Sequence, residues 1–386
     1  MPWPAIRAGL LLLALAPLAY YLLAILAGEK FFRRKSAAPP PGFSPPVSIL
    51  KPILGLDREA YENYASFCRQ EYPEFEILFC VSDRQDPAVP VIEKLIRDFP
   101  ARAIRLLVGA EPLGASDKMN KVCRMAREAR HDILIVTDSD VRVEPDFLRE
   151  VVAPFGDPKV GGVTSLYRGL TDGGFASDLE ALGNSTDFAP GVLVARLLGP
   201  VNFMLGAVMA TTKRHLAEIG GFESLVDYFC DDYELGNRIA ARGYRVEISP
   251  TPVAIVYPHQ NLRDAFRHQL RWNLSIRYSR PAGHLGMIFS HGLPWVILAM
   301  ILVKSAVGAL LFAGAYALLR GDVALTVGAR GMRDPLVREK AWLLPVRDAF
   351  AFLVWLASFF PQPIHWRGRR FRIRARKLVP VPDINK

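Results

Sequence analysis

The sequence has little charge, little cysteine and none of the spacings that mark a nucleophilic enzyme. Of its 386 residues 22% are charged and 51% are hydrophobic, which excludes an intrinsically disordered chain. No Ser-His-Asp or Cys-His pattern is present. The four cysteines form no Cys-x-x-Cys pair, and we expect buried thiols in a reducing compartment at Cys68, Cys80, Cys123 and Cys230.

The net charge of +10 comes from two short segments. Residues 367–377 contain seven basic side chains and no acid, and residues 30–35 contain four more basic side chains. Removing these eleven charges leaves −1 for the rest of the chain. Both segments flank apolar stretches, where Lys and Arg typically face the cytosol and its anionic lipid. The alternative is a solvated charge run or a nucleic-acid arm, but the body has no basic stripe interleaved with aromatics, so we expect no nucleic-acid partner.

Three apolar stretches predict an integral, multi-pass membrane protein. Residues 1–28 favour an uncleaved transmembrane anchor over a signal peptide, because basic residues follow the apolar run on the cytosolic side. Residues 287–319 are too long for one helix and favour a hairpin, although a single crossing stays open. Residues 342–361 contain Arg347 and Asp348 and are interpreted as a re-entrant or interfacial segment, or else a spanning one. We expect a basic cytosolic tail at residues 362–386, in the inner membrane of a bacterium or an equivalent membrane.

The body of the chain follows a basic and Pro-rich linker at residues 29–46. Over residues 47–260 short apolar runs alternate with amphipathic segments. Strands are predicted at residues 47–50, 75–81, 104–108 and 132–137, with helices at residues 58–69, 90–99 and 118–130. This alternation predicts an α/β domain with a parallel sheet covered on both faces. Ligands of such sheets bind outside the carboxyl ends of the strands.

Acidic residues follow these strands at three places. Asp83 follows the strand FEILFCV, Asp138 and Asp140 follow DILIVT, and Asp231 and Asp232 open a helix that ends near Gly243. An Asp-x-Asp pair supplies hard oxygen ligands for Mg²⁺ or Mn²⁺, a metal normally shared with a diphosphate, so the pair indicates a nucleotide. Each acid alone is equally consistent with a turn or helix cap. The set of three favours a catalytic site.

A further amphipathic helix is predicted at residues 261–281, with Asn261 as its cap. Arg267 and Arg271 lie one turn apart, as do His268 and Trp272, so a cationic and aromatic face adjoins an apolar one. An interfacial helix whose Arg and Trp only anchor it at the lipid headgroups explains the same pattern. The two interpretations are compatible.

Taken together, these motifs resemble lipid-directed family 2 glycosyltransferases, and most closely the ceramide glucosyltransferase family. The resemblance extends from the N-terminal anchor to the C-terminal Ile364-His365-Trp366-Arg367 and covers nearly the whole chain. One departure is visible, since the last motif of the family usually begins with Gln or Arg and here begins with His268. The motifs that carry the resemblance are Val81-Ser82-Asp83, Lys118-Met119-Asn120, Asp138-Ser139-Asp140, Asp231-Asp232-Tyr233 and His268-Gln269-Leu270-Arg271-Trp272.

The resemblance implies a GT-A fold and the inverting transfer of a hexose, glucose in this family, from a cytosolic UDP-sugar to a membrane lipid hydroxyl such as that of ceramide. Asp83 would hold the uracil and ribose, Lys118 and Asp138 the nucleotide sugar, and Asp138 with Asp140 the metal. Asp232 would be the catalytic base, and Arg271 with Trp272 would close over the diphosphate and the acceptor. The resemblance assigns no definite role to Asp231 or His268.

Two alternatives stay open at this point. Related hopanoid-associated transferases would add N-acetylglucosamine to a polyol side chain, and the nucleotide-binding motifs do not separate the two acceptors. A non-catalytic membrane scaffold would have lost the acids, and all of them are present.

Overall fold

The computed structural model describes residues 3–34, 40, 42–360, 364–366 and 369–381, with the backbone alone at residues 364–366 and 369. The chain forms two compact units. The sheet unit contains Ser36–Leu170, Pro200–Pro258 and Gln362–Lys386, and the helical unit contains Met1–Lys35, Thr171–Gly199 and His259–Pro361. Part of the predicted linker, residues 35–39 and 41, lies outside the described residues, as does Arg367 of the C-terminal motif.

Strands and helices are numbered separately along the chain. The strands are β1 (Val47–Pro52), β2 (Phe75–Val81), β3 (Ala103–Val108), β4 (Ile133–Thr137), β5 (Val141–Arg142), β6 (Val160–Leu170), β7 (Val208–Thr212), β8 (Arg245–Val256), β9 (Ile364–Trp366), β10 (Arg369–Arg374) and β11 (Lys377–Pro380). The α-helices are α1 (Trp3–Leu13), α2 (Ala16–Phe32), α3 (Ala60–Cys68), α4 (Val89–Asp98), α5 (Asp117–Glu128), α6 (Phe147–Val152), α7 (Phe175–Gly183), α8 (Ala189–Leu198), α9 (Lys213–Glu218), α10 (Asp231–Ala241), α11 (Leu262–Ser279), α12 (Pro281–Gly286), α13 (Gly292–Val303), α14 (Ala306–Val323), α15 (Pro335–Lys340) and α16 (Leu344–Ala357).

The sheet unit is built on a mixed sheet that has, among the described residues, the strand order β3-β2-β1-β4-β7-β6-β8-β5. Strands β1 to β4 pair in parallel, as the strand and helix alternation predicts. The predicted parallel pairing does not continue beyond these strands, because β7 runs antiparallel to both β4 and β6. An apolar run has the same composition in either direction, and the connection between strands sets its orientation.

Local signals explain where the helices of the site begin and end. The Ser116 hydroxyl accepts a hydrogen bond from the Met119 amide and caps α5, and Asn261 caps α11 through the Asp264 amide. Helix α10 ends before Gly243, which has the left-handed φ of 90° that favours glycine. The predicted helix boundaries at these places are confirmed to within a few residues.

The helical unit carries the apolar segments. Within the described residues, two helical stretches, Trp3–Phe32 and Ala306–Gly331, are long and apolar enough to cross a membrane. A third, bent by 45° between Pro281–Phe289 and Gly292–Val303, qualifies if the two parts form one span. The apolar run predicted at residues 287–319 is interrupted at Lys304, which has a left-handed φ of 52° between α13 and α14.

The two charged residues of the third apolar segment are buried in an ionic network. The Arg320 guanidinium donates to Asp348 Oδ1 at 2.7 Å and lies 2.6 Å from Asp187 Oδ1, while Arg347 Nε donates to Asp187 Oδ2 at 2.7 Å. Tyr316 donates its hydroxyl to Asp348 Oδ2 at 2.6 Å. Two acids and two arginines therefore neutralise each other, which accounts for charges inside an otherwise apolar helix.

We expect Asp348→Ala to destabilise the helical unit, because it leaves the Arg320 guanidinium buried without one of its two carboxylates. Breaking a buried ion pair costs about 3–5 kcal/mol. Thermal unfolding of the detergent-solubilised protein should show a lower melting temperature than in Asp322→Ala, which removes an exposed acid from the same unit. Equal melting temperatures for the two variants would contradict the role of the network.

Candidate active site

The acids predicted to follow β2 and β4 lie at one edge of the sheet. Strands β2 and β4 flank β1 in parallel, so the carboxyl ends of all three strands meet there. Asp83 is exposed just beyond β2 and accepts a hydrogen bond from the Gln85 amide at 2.8 Å. Asp138 and Asp140 come directly after β4. This edge is where parallel sheets bind their ligands.

Lys118 joins the acids after β4 to those that open α10. Its ammonium nitrogen lies 2.8 Å from Asp138 Oδ1 and 3.7 Å from Asp231 Oδ2. Burial opposes the charge of Lys118, but Asp138 and Asp231 outweigh it and raise its pKa above the usual range. Lys118 is therefore a fixed cation that holds together two acidic segments far apart in the sequence.

Asp140 is a buried carboxylate without a full set of partners. Its Oδ1 is buried and makes no hydrogen bond within the described part of the chain. Burial, with the negative charges of Asp138 and Asp57, raises the pKa of Asp140 to about 7. An orphaned carboxylate oxygen of this kind fits a cation that shares the Asp138-x-Asp140 pair.

Lys51 lies at the site, although the sequence patterns indicated no role for it. It is fully buried at the end of β1, where its ammonium donates to Thr137 Oγ1 and to the Asp138 carbonyl, both at 2.9 Å. Burial lowers the pKa of Lys51 to about 7, against the attraction of Asp140 and Asp138. One signal was available, since Lys51 is the single charged residue of a buried strand.

Asp232 lies in the first turn of α10, at the other side of the site. Its Oδ1 accepts hydrogen bonds from the Tyr233 amide at 2.7 Å and from the Cys230 thiol at 3.1 Å. Burial and the adjacent Asp231 raise the pKa of Asp232 to about 6, although Cys230 and Lys118 pull it down. The prediction of a buried thiol is confirmed for Cys68, Cys80 and Cys123 but wrong for Cys230, which is only partly buried because it lies at the start of α10 beside the site.

Gly206 marks the place where Asp232 and Asp138 approach each other. A Cβ atom built on Gly206 would lie 3.2 Å from Asp232 Oδ2 and 3.8 Å from Asp138 Oδ2. Both carboxylates therefore face the same small space, which a glycine keeps open. The loop that carries Gly206 held no motif, and only the fold reveals its place beside the two acids.

The remaining predicted residues lie on α11 of the helical unit. His268 Nδ1 is 2.6 Å from Oε1 of the buried Glu180, which also accepts from Gln269 Nε2 at 3.1 Å. Burial alone would raise the pKa of Glu180, but the hydrogen bonds from His268 and Gln269 outweigh it and lower that pKa. The rings of His268 and Trp272 are 4.8 Å apart. His268 thus fixes α11 against α7, a role that the sequence did not indicate.

The structure brings together Lys118, Asp138, Asp140, Asp231 and Asp232 within the sheet unit, with Asp83 at the same sheet edge. Arg271 and Trp272 belong to the helical unit, and their approach to a nucleotide sugar stays a prediction. Among the described residues no group of three or more His, Cys, Asp or Glu side chains is arranged to hold a metal ion. A metal at Asp138 and Asp140 would need ligands from a bound diphosphate.

This mixed sheet, with acids beyond its parallel strands, has the GT-A fold. The structure is similar to that of a mannosyltransferase from Pyrobaculum calidifontis in complex with GDP-Man and Mn²⁺. The TM-score is 0.54 and the sequence identity is 19%, and the match covers 92% of this chain and 99% of the mannosyltransferase. At this identity the likeness shows the fold alone.

The profile of glycosyl transferase family 21 matches residues 9–379, and the chain belongs to this family. It is 30% identical over 234 residues to ceramide glucosyltransferase 1 of Caenorhabditis elegans, a match that covers 60% of this chain and 50% of the relative. It is 34% identical over 147 residues to the ceramide glucosyltransferase of Komagataella phaffii, covering 35% and 29%. The chain thus spans at most about half the length of these curated relatives.

Proposed function

We propose that this chain transfers glucose from UDP-glucose to the hydroxyl of a ceramide-like membrane lipid, with inversion at the sugar. The observation that carries the proposal is the Lys118 bridge, the contact of the Lys118 ammonium with both Asp138 and Asp231. The carboxylates of Asp138 and of the candidate base Asp232 also face one small space beside Gly206. Family membership and the names of the relatives support the donor and the acceptor. The two apolar helical stretches support a multi-pass membrane protein, and the basic segments favour a catalytic side that faces the cytosol.

Donor binding is assigned to the edge of the sheet. Asp83, exposed beyond β2, would hold the uracil and ribose, and Lys118 with Asp138 the sugar diphosphate. Asp138 and Asp140 would hold Mg²⁺ or Mn²⁺, and the unpartnered Asp140 Oδ1 fits that role. When bound, the metal would offset the negative charge that develops on the leaving diphosphate. Arg271 and Trp272 keep the roles that their motif predicts, closing over the diphosphate and the acceptor.

Proton removal is assigned to Asp232. The lipid hydroxyl has a pKa far above 7, so a base must accept its proton as the oxygen attacks the anomeric carbon, which typically contributes about 10²- to 10⁴-fold. The pKa of Asp232, raised by burial to about 6, makes it a stronger base than an exposed aspartate while it stays ionised at pH 7. One displacement suffices for inversion, so no nucleophilic side chain is required.

We expect Asp232→Asn to abolish sugar transfer while UDP binding and the melting temperature stay near those of the wild type, since only the base is removed. The matched control is Asp146→Asn, which changes an exposed acid at the start of α6. In the wild type kcat/KM should fall as the pH drops through about 6, because protonated Asp232 accepts no proton. Near-normal turnover in the Asn variant would disprove the assignment.

Metal removal tests the role of the Asp-x-Asp pair. We expect excess chelator to stop transfer and added Mn²⁺ to restore it, while Asp140→Asn should raise the Mn²⁺ concentration needed for half-maximal activity by roughly 10-fold or more. Mn²⁺ binding in the presence of UDP, followed by electron paramagnetic resonance, gives a readout that is independent of turnover. Full activity in chelator would refute the metal requirement.

The donor and the acceptor are tested by one incubation. Membranes containing the protein are supplied with labelled UDP-glucose or labelled UDP-N-acetylglucosamine, each with ceramide or with a hopanoid polyol, and the labelled lipid is identified. We expect label on ceramide from UDP-glucose. Label on the hopanoid from UDP-N-acetylglucosamine would replace the proposed function by the hopanoid alternative, and the Asp232→Asn variant is the blank in every arm.

A further inference from the structure

Residues 369–380 of the basic C-terminal segment, which was predicted as a tail, form a β-hairpin that is folded onto the rest of the sheet unit. Strands β10 and β11 pair antiparallel and are joined by Ala375 and Arg376, whose φ angles of 47° and 65° are both left-handed. This is the geometry of a tight two-residue hairpin turn, which normally uses Asn or Gly. Phe371 of β10 and Leu378 of β11 are both buried, with 3% of each exposed. Such a turn persists without glycine only where surrounding contacts hold it.

The tip of the hairpin contacts the segment that leads into the catalytic acids. We call residues 226–230 the pre-acid loop, because Asp231 and Asp232 follow it directly. The Phe229 amide donates to the Arg376 carbonyl at 3.0 Å, and the Leu378 amide donates to the Asp227 carbonyl at 2.7 Å. The Lys377 ammonium lies 5.3 Å from the centre of the Tyr228 ring. Two main-chain hydrogen bonds thus join the pre-acid loop to the turn and to the start of β11, in the way that neighbouring strands are joined in a sheet.

Arg376 also reaches past the loop into α10. Its Nη1 donates to Glu234 Oε1 at 3.2 Å, and Glu234 lies two residues beyond Asp232 on the first turn of the helix. The hairpin therefore holds both the loop before the acids and the helix turn that carries them.

The opposite side of the pre-acid loop is attached to the segment that carries Lys118. The Ser116 amide donates to the Val226 carbonyl at 2.8 Å, and the Ala115 amide donates to Asp227 Oδ1 at 3.0 Å. Ser116 is the cap of α5, two residues before Lys118. The contact is close, because a Cβ atom on Gly114 would lie 2.4 Å from the Val226 side chain. The pre-acid loop is thus held between the hairpin and the N-terminal end of α5, the helix that carries Lys118.

We propose that the C-terminal hairpin is a positioning element of the catalytic site, and that Arg376 is a positioning residue that sets Asp231 and Asp232 against Lys118. The inference rests on the proposed role of Asp232 as the base. Misplacing a catalytic group by about 1 Å can cost up to ~100-fold in rate. The hairpin touches α10 and the loop, so its loss should slow the chemical step more than it weakens donor binding.

Charge reversal at two neighbouring arginines tests the proposal. Arg376→Glu places a carboxylate beside Glu234, whereas Arg374→Glu makes the same change of charge on an exposed side chain of the same hairpin. We expect Arg376→Glu to lower kcat by roughly 10-fold or more, with the donor KM within about twofold of the wild type. Arg374→Glu should keep the wild-type kcat. Arg376→Lys keeps the positive charge, so its kcat should be close to that of the wild type.

Amide hydrogen exchange provides a readout that needs no turnover. Exchange in residues 226–235 should be faster in Arg376→Glu than in Arg374→Glu, at unchanged melting temperature. Equal exchange and equal kcat in the two variants would overturn the proposal, as would a loss of kcat that Arg374→Glu shares. If the wild type transfers sugar to no lipid, the proposed function fails, and unchanged exchange at this loop would separately refute the positioning role.

Discussion

The site depends on one buried cation, Lys118, between two groups of carboxylates. Asp138 reaches it from the end of β4, Asp231 from the start of α10, and neither acid is near the other in the sequence. Acids gathered at this density repel each other and resist burial, so the folded state requires a positive charge among them. Lys118 supplies this charge, and the two carboxylates raise its pKa although burial opposes them.

Burial among the surrounding strands also shifts the pKa values of the acids. Strands β1, β2 and β4 are apolar except at Lys51, at Glu76, which pairs with Arg105, and at two hydroxyl residues. They provide a medium of low polarity behind the site. Burial raises the pKa of Asp140, whose own Oδ1 is the orphaned oxygen suited to a cation. It also raises the pKa of Asp232, whose Oδ2 faces the space beside Gly206. Burial is thus the first cause of the raised pKa both at Asp140, the proposed metal ligand, and at Asp232, the proposed base.

The basic residues of the C-terminal hairpin have two different environments, which amino-acid composition does not distinguish. Arg370, Arg372 and Arg374 are exposed along one face of β10, while Phe371 beside them is buried and Arg376 pairs with Glu234. The alternation of arginine with Phe371 and Ile373 is the period of a strand, and it was present in the sequence. The high density of charge concealed it, because runs of like charge usually indicate a disordered tail.

The sequence by itself determined what depends on neighbouring residues: the apolar runs that became β1 to β4, the caps of α5 and α11, the acids that follow the strands, and membership of the family. Propensity, capping and strand periodicity act over a few residues and can be read directly. The tertiary structure alone decided the reversed direction of β7, the pairing of Lys118 with Asp231, the place of Lys51 and Gly206, and the docking of the hairpin. Each of these contacts joins segments that are far apart in the sequence. Such contacts follow from chain connectivity and packing, and no local sequence pattern reports them.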